Sequence, residues 1–292
     1  MAMDVVVQWF GTNHRKLPWR EETCTPWGVL VSEVMLQQTP VARVLPVWQE
    51  WIARWPTPNS CARAPLSEVI TLWGRLGYPR RAKRLHEAAS VLATTHEDSV
   101  PEQLDALLAL PGVGDYTARA VRCFAFGVPD PVVDTNVRRV LARLVEGHGE
   151  AGPPRAKADL DAGQAALDRV TSVADKVTLS KGLMELGAMI CTARSPRCET
   201  CPVASRCEWR SRGYPVYEGP KALSQKKFEG SDRQMRGVIL RELRASDTPV
   251  PTVFLATLTE DRSQLDRAVA SLCADGLIQE SPENSGHLHL AD

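Results

Sequence analysis

Apolar residues recur at intervals of three and four through most of the chain up to Cys191, a spacing that gathers them on one face of a helix. This period predicts helices over residues 4–14, 41–54, 65–73, 80–95, 102–109, 135–146, 157–171 and 175–190, with no strand signals between them. The best punctuated helix follows Thr25, which can cap it. Pro26 suits its first turn, Trp27, Leu30, Val31 and Val34 recur along it, and Pro40 stops it. Before it, Arg15 to Arg20 read as an extended connector, because proline biases the residue ahead of it away from helical geometry. The period fails over 211–231, where Gly213, Pro215, Gly219, Pro220, Lys221, Lys226 and Lys227 mark a linker. It returns with Met235, Val238, Ile239 and Leu243, then Leu265, Val269 and Leu272. Asp275-Gly276-Leu277-Ile278 and a short His287–Leu290 strand close the chain. The expected class is mainly α, with a separate winged-helix-like module at 232–292 and few contacts across the linker.

The stretch Ala106 to Phe126 places two apolar helical segments around Leu110-Pro111-Gly112-Val113-Gly114. Gly112 and Gly114 have no Cβ and tolerate positive φ, so the backbone around Val113 can approach an anion such as phosphate. An ordinary corner between helices also carries glycine, and this stretch alone does not separate the two readings.

At 292 residues, 43% hydrophobic and 24% charged, the chain has the composition of a soluble globular protein able to bury one large core or two smaller ones. Its amino terminus carries no secretion signal and no apolar run reaches bilayer length, so a cytoplasmic enzyme is expected. The formal net charge is zero, but it is unevenly spread. Residues 231–292 hold six arginines and no lysine against ten acidic residues, which leaves 29 basic and 25 acidic residues to the rest. Arg75, Arg80, Arg81, Lys83 and Arg84 form a cluster that could neutralise phosphates, although a solvated helix face accounts for it as well.

Of eight cysteines, Cys24, Cys61 and Cys123 read as small buried hydrophobes, and Cys273 is isolated. Cys191, Cys198, Cys201 and Cys207 follow the spacing C-x6-C-x2-C-x5-C, close enough along the chain to reach one centre. Zinc and a 4Fe-4S cluster compete for them. A structural zinc site usually draws on two close pairs, whereas here there is one C-x2-C, and Cys201-Pro202 matches the Cys-Pro of cluster ligation; the spacing favours iron.

Two carboxylates stand out. Glu33 lies among apolar residues that could raise its pKa, and Gln37 shares its face at i+4. Asp134 is the natural cap of a helix that starts at Thr135 and Asn136, where it could remain ionised. Cleaving a glycosidic bond needs such a pair, one to protonate the leaving group and one to stabilise the cationic sugar.

The hairpin resembles the helix-hairpin-helix of DNA glycosylases related to endonuclease III. Val31 to Thr39 (VSEVMLQQT) closely resembles the signature of the MutY family of A/G-specific adenine DNA glycosylases. The similarity runs from about Val7 to Cys207, through LPW at 17–19, RLGY at 75–78, LPGVG at 110–114, Asp134 to Val140 and MELGA at 184–188. It implies a two-lobed helical region over 1–210. One lobe would span about 20–130, and a cluster lobe would combine 1–19 with 131–210. Four thiolates at Cys191, Cys198, Cys201 and Cys207 would hold a 4Fe-4S cluster. The resemblance further implies that Glu33 acts on the adenine leaving group and Asp134 faces the C1′ cation, with Tyr116 and Asn136 in support. Trp19, Arg20, Leu36 and Glu185 would line the adenine pocket. Gln38 and Tyr78 would wedge into the duplex with Gln37 and Thr39 alongside, and Gly112, Val113 and Gly114 would grip phosphate. The implied substrate is double-stranded DNA carrying adenine opposite 8-oxoguanine or guanine, cleaved without strand scission by a monomeric, nucleoid-associated enzyme.

The sequence departs from this family at two places. Thr135 stands where many members have glycine, and thymine-mismatch or oxidised-pyrimidine glycosylases share that threonine. The carboxy terminus is too short for the Nudix-like domain common in MutY proteins, and a role in binding a protein partner is the expectation for 232–292. A non-enzymatic iron-sulfur regulator would leave Glu33 and Asp134 unexplained.

Overall fold

Local signals in the sequence set where most of the helices begin. The computed structural model describes residues 1–220 and 227–292, so Lys221 and Lys226 of the expected linker lie outside the described residues. Helix α1 (Ala2–Asn13) is followed by a 3-10 turn at Pro18–Arg20 that buries Trp19. Thr25 Oγ1 accepts from Gly28 N at 3.2 Å at the head of α2 (Pro26–Leu36). Helices α3 (Val41–Arg54), α4 (Pro58–Ala62), α5 (Leu66–Trp73) and α6 (Arg80–Thr95) follow. The apolar pattern gives no sign of α4. It has one turn, started by a capping box in which Thr57 and Ser60 bond each other's backbone, with Pro58 at the first helical position. Then come α7 (Leu104–Leu108), α8 (Asp115–Phe126), α9 (Thr135–Leu141), α10 (Ala156–Leu167), α11 (Val173–Met189) and the short α12 (Glu208–Ser211). The helix expected over 135–146 does not run through as an α-helix: after Leu141 it widens into a π-helical turn to Glu146.

The chain forms two compact units. The first gathers Met1–Leu30, Pro101–Ala109 and the described part of Val113–Ser224. Its core joins Met3 and Val6 of α1, Val137, Val140 and Leu141 of α9, and Leu179, Leu183 and Leu186 of α11, with Cys191, Cys201 and Cys207 packed against it. Helix α11 comes so close to α9 that a Cβ on Gly187 would lie 2.8 Å from Asn136 Cβ and 2.9 Å from its carbonyl oxygen, so glycine is required there.

The second unit holds Val31–Val100, Leu110–Gly112 and the described part of Gln225–Asp292. Trp51, Trp55 and Trp73 meet edge to face in its interior. Its carboxy-terminal part runs α13 (Asp232–Arg244), β1 (Val250–Pro251), α14 (Thr252–Leu255), α15 (Arg262–Ala274), β2 (Ile278–Glu280) and β3 (His287–Leu290). The strands form an antiparallel sheet in the order β1-β3-β2. Helix, strand, two helices and a two-stranded wing is winged-helix order. Leu288 and Leu290 are buried while His287 and His289 are half-buried, the alternation of a strand with one covered face. This module packs on α5 and α6 rather than standing apart.

Candidate active site

In the first unit, Glu185 is completely buried on α11. Its Oε1 accepts from Arg15 N at 2.8 Å and Arg15 Nε at 2.9 Å, and its Oε2 accepts from Arg15 Nη2 at 2.7 Å and Arg20 Nη2 at 2.9 Å. Burial pushes the Glu185 carboxyl up, but the bonds from Arg15 and Arg20 outweigh it and hold the group at about 2. Arg20 also lies over the Phe10 ring at 5.5 Å, and Trp19 is buried beside it in the chain. Of the expected pocket residues, Trp19, Arg20 and Glu185 thus share this unit. Arg15, which the sequence shows only as part of a connector, is the principal partner of Glu185. A further side chain on α11 escaped the sequence reading. Lys181 stands one helical turn before Glu185, over the Phe124 ring at 5.7 Å, and burial lowers its pKa. The i,i+4 spacing to Glu185 was its only signal.

Asp134 caps α9 as expected. Its Oδ1 accepts from Val137 N at 2.7 Å and its Oδ2 from Asn136 Nδ2 at 2.7 Å. Burial nevertheless prevails over these bonds and raises its pKa above the usual aspartate value, where the sequence suggested only that a helix start would keep it ionised. Asn136 Oδ1 in turn accepts from Arg139 Nη2 at 2.7 Å, and Arg139 also binds the carbonyls of Gly187 and Cys191. Arg139 therefore links the carboxamide beside Asp134 to α11. Tyr116, in the first turn of α8, packs with Ala120, Cys123 and Val132.

In the second unit, Glu33 is buried on α2 and Leu36 is half-buried one turn on. Gln38 and Tyr78, the expected wedge residues, both adopt left-handed backbone, with φ of 56° and 48°. Such residues are uncommon, and they persist where the surroundings fix them. The fixing group is Arg81. Its Nη1 donates to the carbonyls of Val34, Met35 and Gln37 at 2.8, 3.0 and 2.6 Å, and its Nη2 donates to Thr39 Oγ1 at 3.0 Å and the carbonyls of Leu76 and Gly77 at 3.3 and 3.0 Å. Thr39 is buried and its hydroxyl adds a bond to Leu76 O at 3.2 Å, so it ties the two turns together. Burial lowers the Arg81 pKa to about 10, which leaves it a cation at neutral pH.

These contacts change the reading of the basic cluster. Arg81 is a half-buried staple, Arg80 pairs with Asp275, and Lys83 and Arg84 pair with Glu87. The pattern of charges gave no sign of the Arg80 partner, because Asp275 is remote in sequence. Of the hairpin glycines, Gly112 takes φ 77° and a Cβ there would meet Arg84 Cβ at 2.7 Å; Gly114 is extended at φ −100° and caps α8 with no side chain to offer. An uncapped helix start of this kind leaves first-turn N–H groups for an anion.

The four clustered thiols are all half-buried. Burial pushes Cys201 up to about 11 against a lowering bond at the Val203 backbone, and the Cys191, Cys207 and Cys198 thiols add to the rise. Among the described residues no three His, Cys, Asp or Glu side chains close tightly enough to chelate a single ion. Arg143, on the π-helical turn, is buried against this loop. Its Nη1 donates to Thr192 O at 2.7 Å and lies 3.5 Å from Cys191 Sγ, and its Nη2 donates to Ala193 O at 3.0 Å. A buried guanidinium beside these sulfurs favours their thiolate form, the form that binds metal.

Residues 31–162 match the HhH-GPD superfamily base excision DNA repair proteins, and residues 191–207 match the iron-sulfur binding domain of endonuclease III. The chain is 51% identical over 275 residues to the adenine DNA glycosylase of Mycobacterium tuberculosis, covering 94% of this chain and 88% of that protein. The chain belongs to the adenine DNA glycosylase family. A second relative, the adenine DNA glycosylase of Mycolicibacterium smegmatis, is 50% identical over 279 residues, covering 95% of this chain and 92% of that protein. Among solved structures, a thermostable thymine-DNA glycosylase matches with a TM-score of 0.63 and 28% identity, over 72% of this chain and 95% of that one. A trapped endonuclease III–DNA covalent intermediate matches with a TM-score of 0.60 and 26% identity, over 73% and 95%. Membership of this family makes the chain an enzyme with a 4Fe-4S cluster, and the matched iron-sulfur segment begins at Cys191 and ends at Cys207. Among the described residues no helix is long and apolar enough to cross a membrane.

Proposed function

We propose that this enzyme removes adenine mispaired with 8-oxoguanine or guanine from duplex DNA by hydrolysing the N-glycosidic bond, and leaves the strand uncut. The observation that carries this reading is the contrast between two carboxylates: Glu33 is enclosed within α2, whereas Asp134 is half-buried at a helix start and hydrogen-bonded on both oxygens. In the reaction Glu33 delivers a proton to the adenine leaving group, at N7. Asp134, as the anion, faces the positive charge that develops at C1′, and Asn136 holds its outer oxygen. Glu185, fixed by Arg15 and Arg20, gives the extruded base a rigid polar wall beside Trp19. Gln38 and Tyr78 offset the cost of extrusion by filling the duplex. Gly112, Val113 and Gly114 bind phosphate at the start of α8. Cys191, Cys198, Cys201 and Cys207 hold the 4Fe-4S cluster, which when bound fixes the loop between them and takes no part in bond cleavage. Tyr116 occupies the place where strand-cleaving relatives use a lysine, which supports base release alone.

The test is single-turnover base release from duplexes holding adenine opposite 8-oxoguanine, adenine opposite guanine, and thymine opposite guanine. Adenine should be released, with strand breakage only after alkali. Glu33→Gln should abolish release while leaving duplex binding within a few-fold, because the amide keeps the shape but holds no acidic proton. Release of thymine, or normal release by Glu33→Gln, would overturn the reading.

A further inference from the structure

The turn that carries Tyr78 is held along its length by the carboxy-terminal module. Arg244 of α13 donates to the carbonyl of Gly74, where the turn begins. Arg233 Nη1 of the same helix lies 3.3 Å from Tyr78 Oη at the tip. Beyond the tip, Arg80 bonds Asp275 Oδ1, and Lys83 Nζ donates to Asp275 O at 3.1 Å. Asp275 stands just past the end of α15 with its side chain 3% exposed, and its second oxygen accepts from Arg236 Nη2 at 2.6 Å. Helix α5, which leads into the turn, lies against β3.

A module joined merely for solubility would rest on helix faces. These contacts instead seek the backbone of one turn, the hydroxyl at its tip and the first turn of the helix that follows. Arg81 holds the turn from one side, and Tyr78, at φ 48°, is the residue in it that strain affects, since Gly74 and Gly77 take positive φ freely. Three of the module's six arginines, Arg233, Arg236 and Arg244, are engaged here.

We infer that the carboxy-terminal module is a brace that sets the Tyr78 turn for entry into the duplex, with Asp275 as its central positioning residue and Arg233 and Arg244 as its outer ones. This rests on the proposed role of Tyr78 as a wedge beside the orphaned base. The module thereby contributes to recognition of a mispair from behind the wedge and without touching a base.

The full-length, cluster-loaded protein tests this with Asp275→Asn, and with Arg244→Gln should the first variant fold poorly. Amide exchange over residues 74–83 of the free protein should quicken about tenfold while residues 104–126 keep their wild-type rates. Fluorescence of 2-aminopurine placed next to the orphaned 8-oxoguanine should rise less on binding than with wild type. The preference for mispaired over matched duplex should fall about tenfold, and Tyr78→Ala in the same chain should add little, because both changes remove one action. An Asp275→Asn loss of the same size with and without the Tyr78→Ala change would overturn the inference, as would unchanged exchange over 74–83. If wild type released no adenine, the proposed function would fail, and the exchange measurement would still decide the brace.

Discussion

Replacing Glu185 by glutamine removes a charge and leaves the shape. The wild-type carboxyl is held at about 2 against an ordinary 4.5, which corresponds to about 3 kcal/mol in favour of the charged, folded form at roughly 1.4 kcal/mol per tenfold. Because the folded value is depressed, that stability is complete above the unfolded value of 4.5 and drains away as pH falls towards 2. At pH 7 the variant should therefore lose all of it. Arg15 and Arg20 would also be left facing a neutral amide, which keeps the expected loss within about 3–5 kcal/mol. Thermal unfolding followed by circular dichroism, with cluster absorbance recorded alongside, should show a melting point lower by about 6–20 °C for a region of this size. Arg15→Gln supplies the control, since it removes the two side-chain bonds to Glu185 from the other side and leaves the one from the Arg15 backbone N–H. If the bonds are the cause, the double variant should cost about 2 kcal/mol less than the two single costs together. Costs that add to within about 0.5 kcal/mol would refute the assignment of this stability to the Arg15–Glu185 pair.

Asp134→Asn should lose base release yet melt no lower than wild type. Its raised folded pKa means that the anion is a net cost that grows as pH climbs through the window above the ordinary aspartate value, and asparagine still caps a helix. For the same reason the acid limb of the single-turnover rate should sit above the ordinary aspartate range, and a limb below it would contradict the assignment. Arg81→Lys should destabilise the second unit by about 2–3 kcal/mol in denaturant titrations, because an ammonium has three donors for the six oxygens the guanidinium meets; no loss would leave Arg81 a bystander. Cys198→Ser should yield protein with less iron and weaker cluster absorbance, and full iron content in that variant would remove Cys198 from the ligand set.

The helices were legible because their apolar periods and caps are local: Thr25, Pro26 and Pro40 bound α2, and Asp134 caps α9. The one-turn α4 was not, since five residues carry no period. The clustered cysteines pointed to iron through their spacing, the Cys201-Pro202 pair and the family resemblance, and residues 191–207 match an iron-sulfur binding domain. What stayed hidden depends on contacts distant in sequence. Arg15 and Glu185 lie 170 positions apart, and Arg80 and Asp275 lie 195 apart. The basic cluster therefore read as a solvated helix face or a phosphate-neutralising patch, although Arg81 is half-buried and bonded to two turns and Arg80 is paired to the far end of the chain. The direction of the Asp134 shift was hidden for a similar reason, because it is set by how deeply the helix start is covered.

Helix α11 carries Glu185 and, two residues on, Gly187 against Asn136; four residues after that comes Cys191, its N–H tied back to Leu186 O at 2.7 Å. At a helical rise, the four residues from Glu185 to the end of α11 at Met189 measure about 6 Å. Within that length the helix fixes Glu185 and the spacing to the carboxamide beside Asp134, and the first cysteine of the iron loop follows two residues past its end. None of the three can slide along the axis without displacing the others, and Gly187 leaves no slack in which a sideways shift could be absorbed. The iron loop and the wall proposed for the base consequently share a single mechanical register, and damage to either end should be felt at the other as a misalignment rather than as a missing contact.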